Sequence, residues 1–341
     1  MKKLSLCLIV LLIISCNLFI SGGSIQLVNT ILVDQFVVSL AFEDDGTTWA
    51  GIIRDQYGLV KINPDGSTEI FDHTNSCLVD LANIWDMDVD SDGNLWMLNE
   101  GLVRYNGHVF TKWDTINEGQ LIVLAYNQSL VIDENDNIWC VATNPYINCP
   151  NIKLISFDGN DFTVHEPSQL NSGTIYSVTD IAIDKMNNAW FSFNDYHGDL
   201  VFLKYNGSKW TSFDTSDVGY SPYNITDIEF DSENNLWFND DFSYSSIAKH
   251  NQAALFVFDK ENKATSISGS EFISSLYIDV NDNLWVSGFL PNLAVYNDGK
   301  WTFLDNEEAI PFCSDINVDN NGDIWYATSL GIKVFRYIEE D

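Results

Sequence analysis

The chain has 341 residues, 45% of them hydrophobic and 13% aromatic, which is enough apolar material for a packed core and too much for a disordered chain. Its 49 acidic residues outnumber 16 basic ones, for a net charge of -33. Nucleic acid is excluded as a partner, because binding it requires Lys and Arg to neutralise phosphates. Anionic membrane surfaces are disfavoured for the same reason.

The N-terminus opens with Lys2 and Lys3, followed by an apolar run from Leu4 to Ile14. This has the form of an export signal and is short for a membrane span. Ile13-Ile14-Ser15-Cys16 resembles a bacterial lipobox, which implies that Cys16 is lipidated and becomes the new N-terminus. Cleavage near Gly22 and Gly23 is the alternative. Residues 1–16 are therefore read as a signal peptide with a lipobox-like end, and residues 24–341 as one domain. The expected location is the cell envelope, as a lipoprotein on the periplasmic or outer surface, or otherwise the exterior. Membrane contact would run only through the lipid. In an exported chain, Cys140–Cys149 and Cys77–Cys313 are possible disulfides, with free buried thiols as the alternative.

After the leader, Ile25 to Thr30 has strand character. From there one pattern dominates. Trp49, Trp96, Trp139, Trp190, Trp237, Trp285 and Trp325 recur at intervals of 40 to 51 residues, the mark of a repeat architecture. Within the second copy, Trp85 to Asp90 alternates apolar and polar residues, which predicts a strand. Ser91-Asp92-Gly93 makes a tight turn, Leu95-Trp96-Met97 a second strand and Leu102 to Tyr105 a third. Asn106-Gly107 is a hairpin turn leading to a fourth strand over Val109 to Trp113. The unit is a four-stranded antiparallel meander.

The remaining copies agree. Three residues before each Trp stand Gly46, Gly93, Asp136, Asn187, Asn234, Asp282 and Gly322, residue types that tolerate a left-handed backbone. Seven and nine residues before each Trp every position is apolar, as in Ile181 and Ile183. A four-stranded sheet with two apolar faces cannot bury both alone; seven stacked around an axis can. The predicted fold is all-β, a seven-bladed β-propeller of four-stranded antiparallel blades, with each Trp packed between blades. The last copy ends after three strands, so Ile25 to Thr30 is expected to complete it.

Asp90-Ser91-Asp92-Gly93-Asn94-Leu95-Trp96 followed by Gly101-Leu102-Val103-Arg104-Tyr105 resembles the two-component regulator propeller repeat. That resemblance implies an exported sensor propeller, often joined to a histidine kinase and sometimes implicated in glycan sensing. The repeat is also similar to that of streptogramin lyases, which implies a metal-assisted His/Glu site. Fold alone does not fix function.

Candidate sites follow from the predicted faces. Ten residues before each Trp stand Ser39, Asp86, Ser129, Asp180, Asp227, Ser275 and Asp315, only Ser and Asp. The position opens the innermost strand at its long-loop end, so it should ring the channel mouth and bind a cation or polar ligand. Hydrogen bonding to the backbone of the adjacent blade is the structural alternative. The long loops carry Tyr146, Tyr196, Tyr223 and Tyr244, platforms suited to sugar rings. Six residues before each Trp stand Glu43, Asp90, Asp133, Asp184, Asp231, Asp279 and Asp319, read as turn residues accepting backbone N–H groups. Asp88 to Gly93 echoes the start of a calcium loop, but Asn99 stands where such a loop needs Glu. His197 and His250 are the best catalytic candidates, and no recognised catalytic motif is present. The expected function is non-catalytic binding of a carbohydrate, a peptide or a protein partner by a monomer. No cofactor is expected, with a divalent cation as the one open possibility.

Overall fold

The turn between the first and second strand of each repeat organises the blade. In the computed structural model, all seven residues at the position three before the repeat Trp have positive φ, from 59° at Asp136 and Asn187 to 88° at Gly46. The chain reverses there, and a backbone hydrogen bond closes the turn, as from Asp90 N to the Asn94 carbonyl at 3.0 Å. Only Gly, Asn and Asp occupy a left-handed conformation at low cost.

The acidic residue six before the Trp accepts those backbone N–H groups, as expected: Asp90 takes bonds from Asn94 N at 2.7 Å and Asp92 N at 3.1 Å. It also does something unforeseen. In every repeat its carboxylate accepts the indole N–H of the Trp. The distances are 2.6 Å for Glu43–Trp49, 2.7 Å for Asp90–Trp96, 3.1 Å for Asp133–Trp139 and 2.9 Å for Asp184–Trp190. Asp231–Trp237, Asp279–Trp285 and Asp319–Trp325 complete the set at 2.8, 3.0 and 3.0 Å. The polar edge of each indole is thus satisfied locally, which frees its apolar body to be buried.

That body is buried in the next blade. Trp49 packs with Met87, Leu95 and Tyr105, Trp96 with Leu130, Ile138 and Phe157, and Trp139 with Ile181 and Phe191. Trp190 packs with Ile228 and Phe238, Trp237 with Leu276 and Val286, and Trp285 with Ile316 and Tyr326. Trp325 of the seventh blade packs with Leu40 and Ala50 of the first. There are seven cores, one at each junction.

The structure describes residues 23–53, 58–79, 82–116, 120–121, 129–142, 153–166, 177–194, 200–214, 225–240, 255–258, 264–267, 273–288, 293–304 and 313–339. They form seven four-stranded antiparallel sheets and one two-stranded hairpin, with no helix among the described residues. The first strands are Phe36–Phe42, Met87–Val89, Leu130–Ile132, Ser177–Ile183, Ile225–Phe230, Ile273–Ile278 and Cys313–Val318. Successive first strands lie beside one another, and the seventh lies beside the first. In the seventh sheet Gly331–Glu339 is flanked by Asp323–Thr328 and by Gly23–Ile31, whose residue Gly23 pairs with Glu339 and Ile31 with Ile332.

The disulfide expectations are corrected. Cys77, Cys140 and Cys313 are free thiols. Cys140 is fully buried in the core between blades two and three, and Cys149 lies outside the described residues. Cys77 packs on the core between blades one and two, whereas Cys313 belongs to the core between blades six and seven. The two sit in different junctions.

Removal of one anchoring carboxylate tests this framework. Asp184 is buried and holds the Trp190 indole, the Asn188 side chain and the Lys204 ammonium, the last at 2.9 Å. Burial works against its charge, but those hydrogen bonds outweigh it and hold its pKa below the usual value. Asp184→Ala would strand all three partners and should cost about 3 kcal/mol in denaturant unfolding. Asp65→Ala, at an exposed turn, should change stability by no more than about 0.5 kcal/mol.

Candidate binding cavity in the central channel

The first strands of neighbouring blades lie side by side around the axis, so their residues border the channel. They enclose a cavity of about 640 Å³. Its lining comes from the first strands and the residues just before them, at positions eleven to eight before the Trp, and none of it from the turns beyond. The cavity therefore lies in the half of the channel nearer the long loops.

Asp86, Ser129, Asp180, Asp227, Ser275 and Asp315 all line it, as the spacing predicts. Ser39 is buried instead, and its hydroxyl donates to the Ile84 carbonyl of blade two. The ring residues also carry the structural role named as the alternative. Asp86 Oδ2 accepts Leu130 N of the next blade at 2.7 Å, and Asp180 Oδ2 accepts Ile228 N at 2.8 Å. Asp227 Oδ2 accepts Leu276 N at 2.9 Å, and Asp315 Oδ2 accepts Leu40 N at 2.7 Å, which ties blade seven to blade one. Ser129 does the same for Ile181 N at 3.2 Å, and its hydroxyl donates to Asp180 Oδ1 at 2.7 Å. One face of the ring clasps blades together while the other faces the cavity.

A second tier was missed. Eight residues before the Trp stand Asp88, Val131, Glu229, Tyr277 and Asn317, and all five line the cavity. The signal was present, since position eight lies on the same innermost strand as the ring, two residues further along. Trp85, at the position eleven before Trp96, lines the cavity as well and is 40% exposed. The predicted strand included it but gave it no role.

Six carboxyl groups thus face one space, and none of the described lining residues is basic. Burial raises every one of their pKa values. Asp86 is raised well above the ordinary value by burial, with Asp180 and Asp315 adding repulsion. Asp315 is pushed up to about 8 by burial and by Asp227, and Glu229 to about 8 by burial, Asp180 and Asp227. Burial lifts Asp88 to about 6. Asp180 and Asp227 rise as well, through burial, with repulsion from Asp227 adding to the rise at Asp180.

The other predicted site residues are placed differently. Tyr146, Tyr196, Tyr223, Tyr244, His197, His250 and Cys16 lie outside the described residues. Of the calcium-like run, Asp90 is engaged by Asn94 and Trp96, while Asp88 faces the channel. Among the described residues no group of three or more His, Cys, Asp or Glu side chains is arranged to hold a metal ion.

No protein-family model matches the chain, and no curated protein matches it in sequence. Solved structures share its fold. An inactive variant of virginiamycin B lyase from Staphylococcus aureus, with quinupristin, is 16% identical over 92% of this chain and 99% of that one, with a TM-score of 0.69. The extracellular domain of a hybrid two-component system from B. thetaiotaomicron is 18% identical over 92% of this chain and 41% of that one, with a TM-score of 0.65. YCF48 bound to D1 peptide is 11% identical over 94% and 98%, with a TM-score of 0.62. At such identities the likeness establishes the propeller fold alone; the first two structures are of the kinds that the repeat resembles, and the third is not.

The raised pKa values fix the sign of a pH effect. A carboxyl whose folded pKa exceeds its unfolded one holds its proton more tightly when folded, so stability falls as pH rises between the two values. For the channel the window runs from about pH 4 to about pH 8. The turn carboxylates whose pKa values are lowered, such as Asp45 and Asp136 through hydrogen bonds from Thr47 and Ser91, act with the opposite sign and only below about pH 4. Calorimetric melting temperatures should therefore fall from pH 5 to pH 8. Asp180→Asn with Asp227→Asn should flatten that fall.

Proposed function

We propose that this chain is a non-catalytic binding or sensing propeller, exported and held at the cell envelope through Cys16 or otherwise secreted. It recognises a carbohydrate or peptide at the long-loop face. One observation carries the reading: the first strands enclose a polar cavity of about 640 Å³ toward that face, the concave, partly polar setting in which small ligands and side chains are bound. The solved propellers of this shape include a lyase with quinupristin, a sensor extracellular domain and a peptide-bound protein, so the fold is compatible with binding and selects no chemistry.

A metal-assisted lyase is the second reading, motivated by the likeness to virginiamycin B lyase. It requires a His and a Glu converging on a divalent ion, with His197 and His250 as the available candidates. A protein-interaction scaffold is the third.

Thermal melting against a panel separates the three. A ligand at about 100 times its Kd should stabilise the fold by about 2.7 kcal/mol. The proposal expects a shift with an oligosaccharide or a peptide in the absence of added metal. A shift with divalent ions alone, accompanied by chelator-sensitive turnover, would replace it with the lyase. No shift with any member of the panel would leave the scaffold.

A further inference from the structure

The position eleven before the repeat Trp is occupied by Val38, Thr179, Thr226, Ser274 and Ser314 in five of the other blades, while Gln128 of the third lies outside the described residues, and the small polar ones have structural tasks. Thr179 bonds Ser192 at 2.8 Å, Thr226 donates to the Ser274 carbonyl of the next blade at 3.2 Å, and Ser314 donates to the Val37 carbonyl. Val38 is 3% exposed. Blade two places Trp85 there. Trp85 belongs to none of the seven cores, and its 40% exposure opens onto the cavity. Packing does not account for a large aromatic at this point, and an exposed aromatic face in a cavity is a place for a ligand to stack.

What stacks there is set by the facing walls. The four ring aspartates are each engaged by a backbone N–H of the next blade. Glu229 differs: the hydrogen bond to its carboxyl comes from Phe230, its own chain neighbour. It stands in the deeper tier beside Tyr277. A neutral ligand would leave the repulsion among these carboxyls to be relieved by protons alone. An organic cation would relieve that repulsion at one end and present a flat or alkylated charge to the indole at the other.

Resting on the binding reading above, we propose that the cavity takes a basic side chain, an arginine or lysine of a peptide, stacked on Trp85 and charge-paired with Glu229. The peptide backbone would remain at the long-loop face while the cation descends the channel. Arginine suits the pair of walls best, because its planar guanidinium both stacks and bridges a carboxylate.

The test is calorimetric titration of the full chain at about 0.15 M salt, where diffuse surface attraction is screened. The probes are acetylated, amidated tri-arginine, the tri-citrulline peptide of matching shape, and maltotriose. Tri-arginine should bind and tri-citrulline should not. Trp85→Ala should weaken tri-arginine at least about fivefold, the loss of one cation–π contact. Glu229→Gln should weaken it by a similar factor, and it carries the test if Trp85→Ala fails to fold. Asp65→Asn, far from the channel, should leave affinity unchanged. Equal weakening by Asp65→Asn would assign the binding to diffuse charge and overturn the proposal. So would indifference to both channel variants, or equal affinity for tri-citrulline. Binding of maltotriose with tri-arginine silent would overturn the cationic ligand while leaving the binding reading intact. A chain inert to the wider melting panel would remove that reading itself.

Discussion

The bond between each repeat carboxylate and the indole six residues later is the constraint on which the rest depends. It joins the end of the first strand to the start of the second and so fixes the turn between them. It also decides what the Trp can do next. A buried indole with an unsatisfied N–H would carry a desolvation cost of about 1–3 kcal/mol. With that N–H satisfied inside its own blade, the ring can enter the neighbouring blade as an almost purely apolar body. Seven such insertions make the seven junction cores, and the orientation of the blades follows from them. Basic side chains reinforce the arrangement from the third strand: Lys61, Arg104 and Lys204 lie over Trp49, Trp96 and Trp190 at 5.3, 5.6 and 4.9 Å.

The channel shows the cost of the same geometry. The ring position carries only Ser and Asp, and it uses that polarity to clasp the adjacent blade through backbone N–H groups. Aspartate is well suited to the clasp because a carboxylate accepts strong hydrogen bonds. Four aspartates brought onto one ring, with Asp88 and Glu229 below them, nevertheless repel. The stability gained at the junctions is set against electrostatic tension along the axis, and protons or a bound cation relieve it.

Much of this was legible in the sequence, and the limits have physical reasons. The Trp period, the left-handed turn residues and the apolar pair at positions seven and nine are local signals with fixed spacing, and they gave blade number, strand order and core. The ring of Asp and Ser was legible for the same reason. Its double role was partly legible, since the clasp and the cavity use opposite faces of one side chain. The indole bond was hidden because a turn aspartate already has sufficient reason to be there. Trp85 was hidden because a lone aromatic in an alternating strand looks like core until the strand's facing is known. The Cys77–Cys313 pairing failed because cysteine spacing carries no information about which junction a thiol enters. The loop tyrosines fall outside the regular pattern, where spacing has no predictive force.

One asymmetry at the turn face reaches beyond the single molecule. In blades three to six the left-handed residue is Asp or Asn rather than Gly, and its side chain accepts the N–H of the preceding blade's turn: Ser91 to Asp136 at 2.9 Å, Glu134 to Asn187 at 2.9 Å, Lys185 to Asn234 at 2.8 Å and Ser232 to Asp282 at 2.7 Å. Blades three, four and five therefore each carry a donor facing forward and an acceptor facing backward. This is the head-to-tail logic of a heterologous interface, which builds a ring when the rotation closes and a filament when it does not. A repeat copied whole by duplication brings both halves of the joint with it and mates with its neighbours on either side. Duplication of such a repeat would add a blade without redesigning its turn joint.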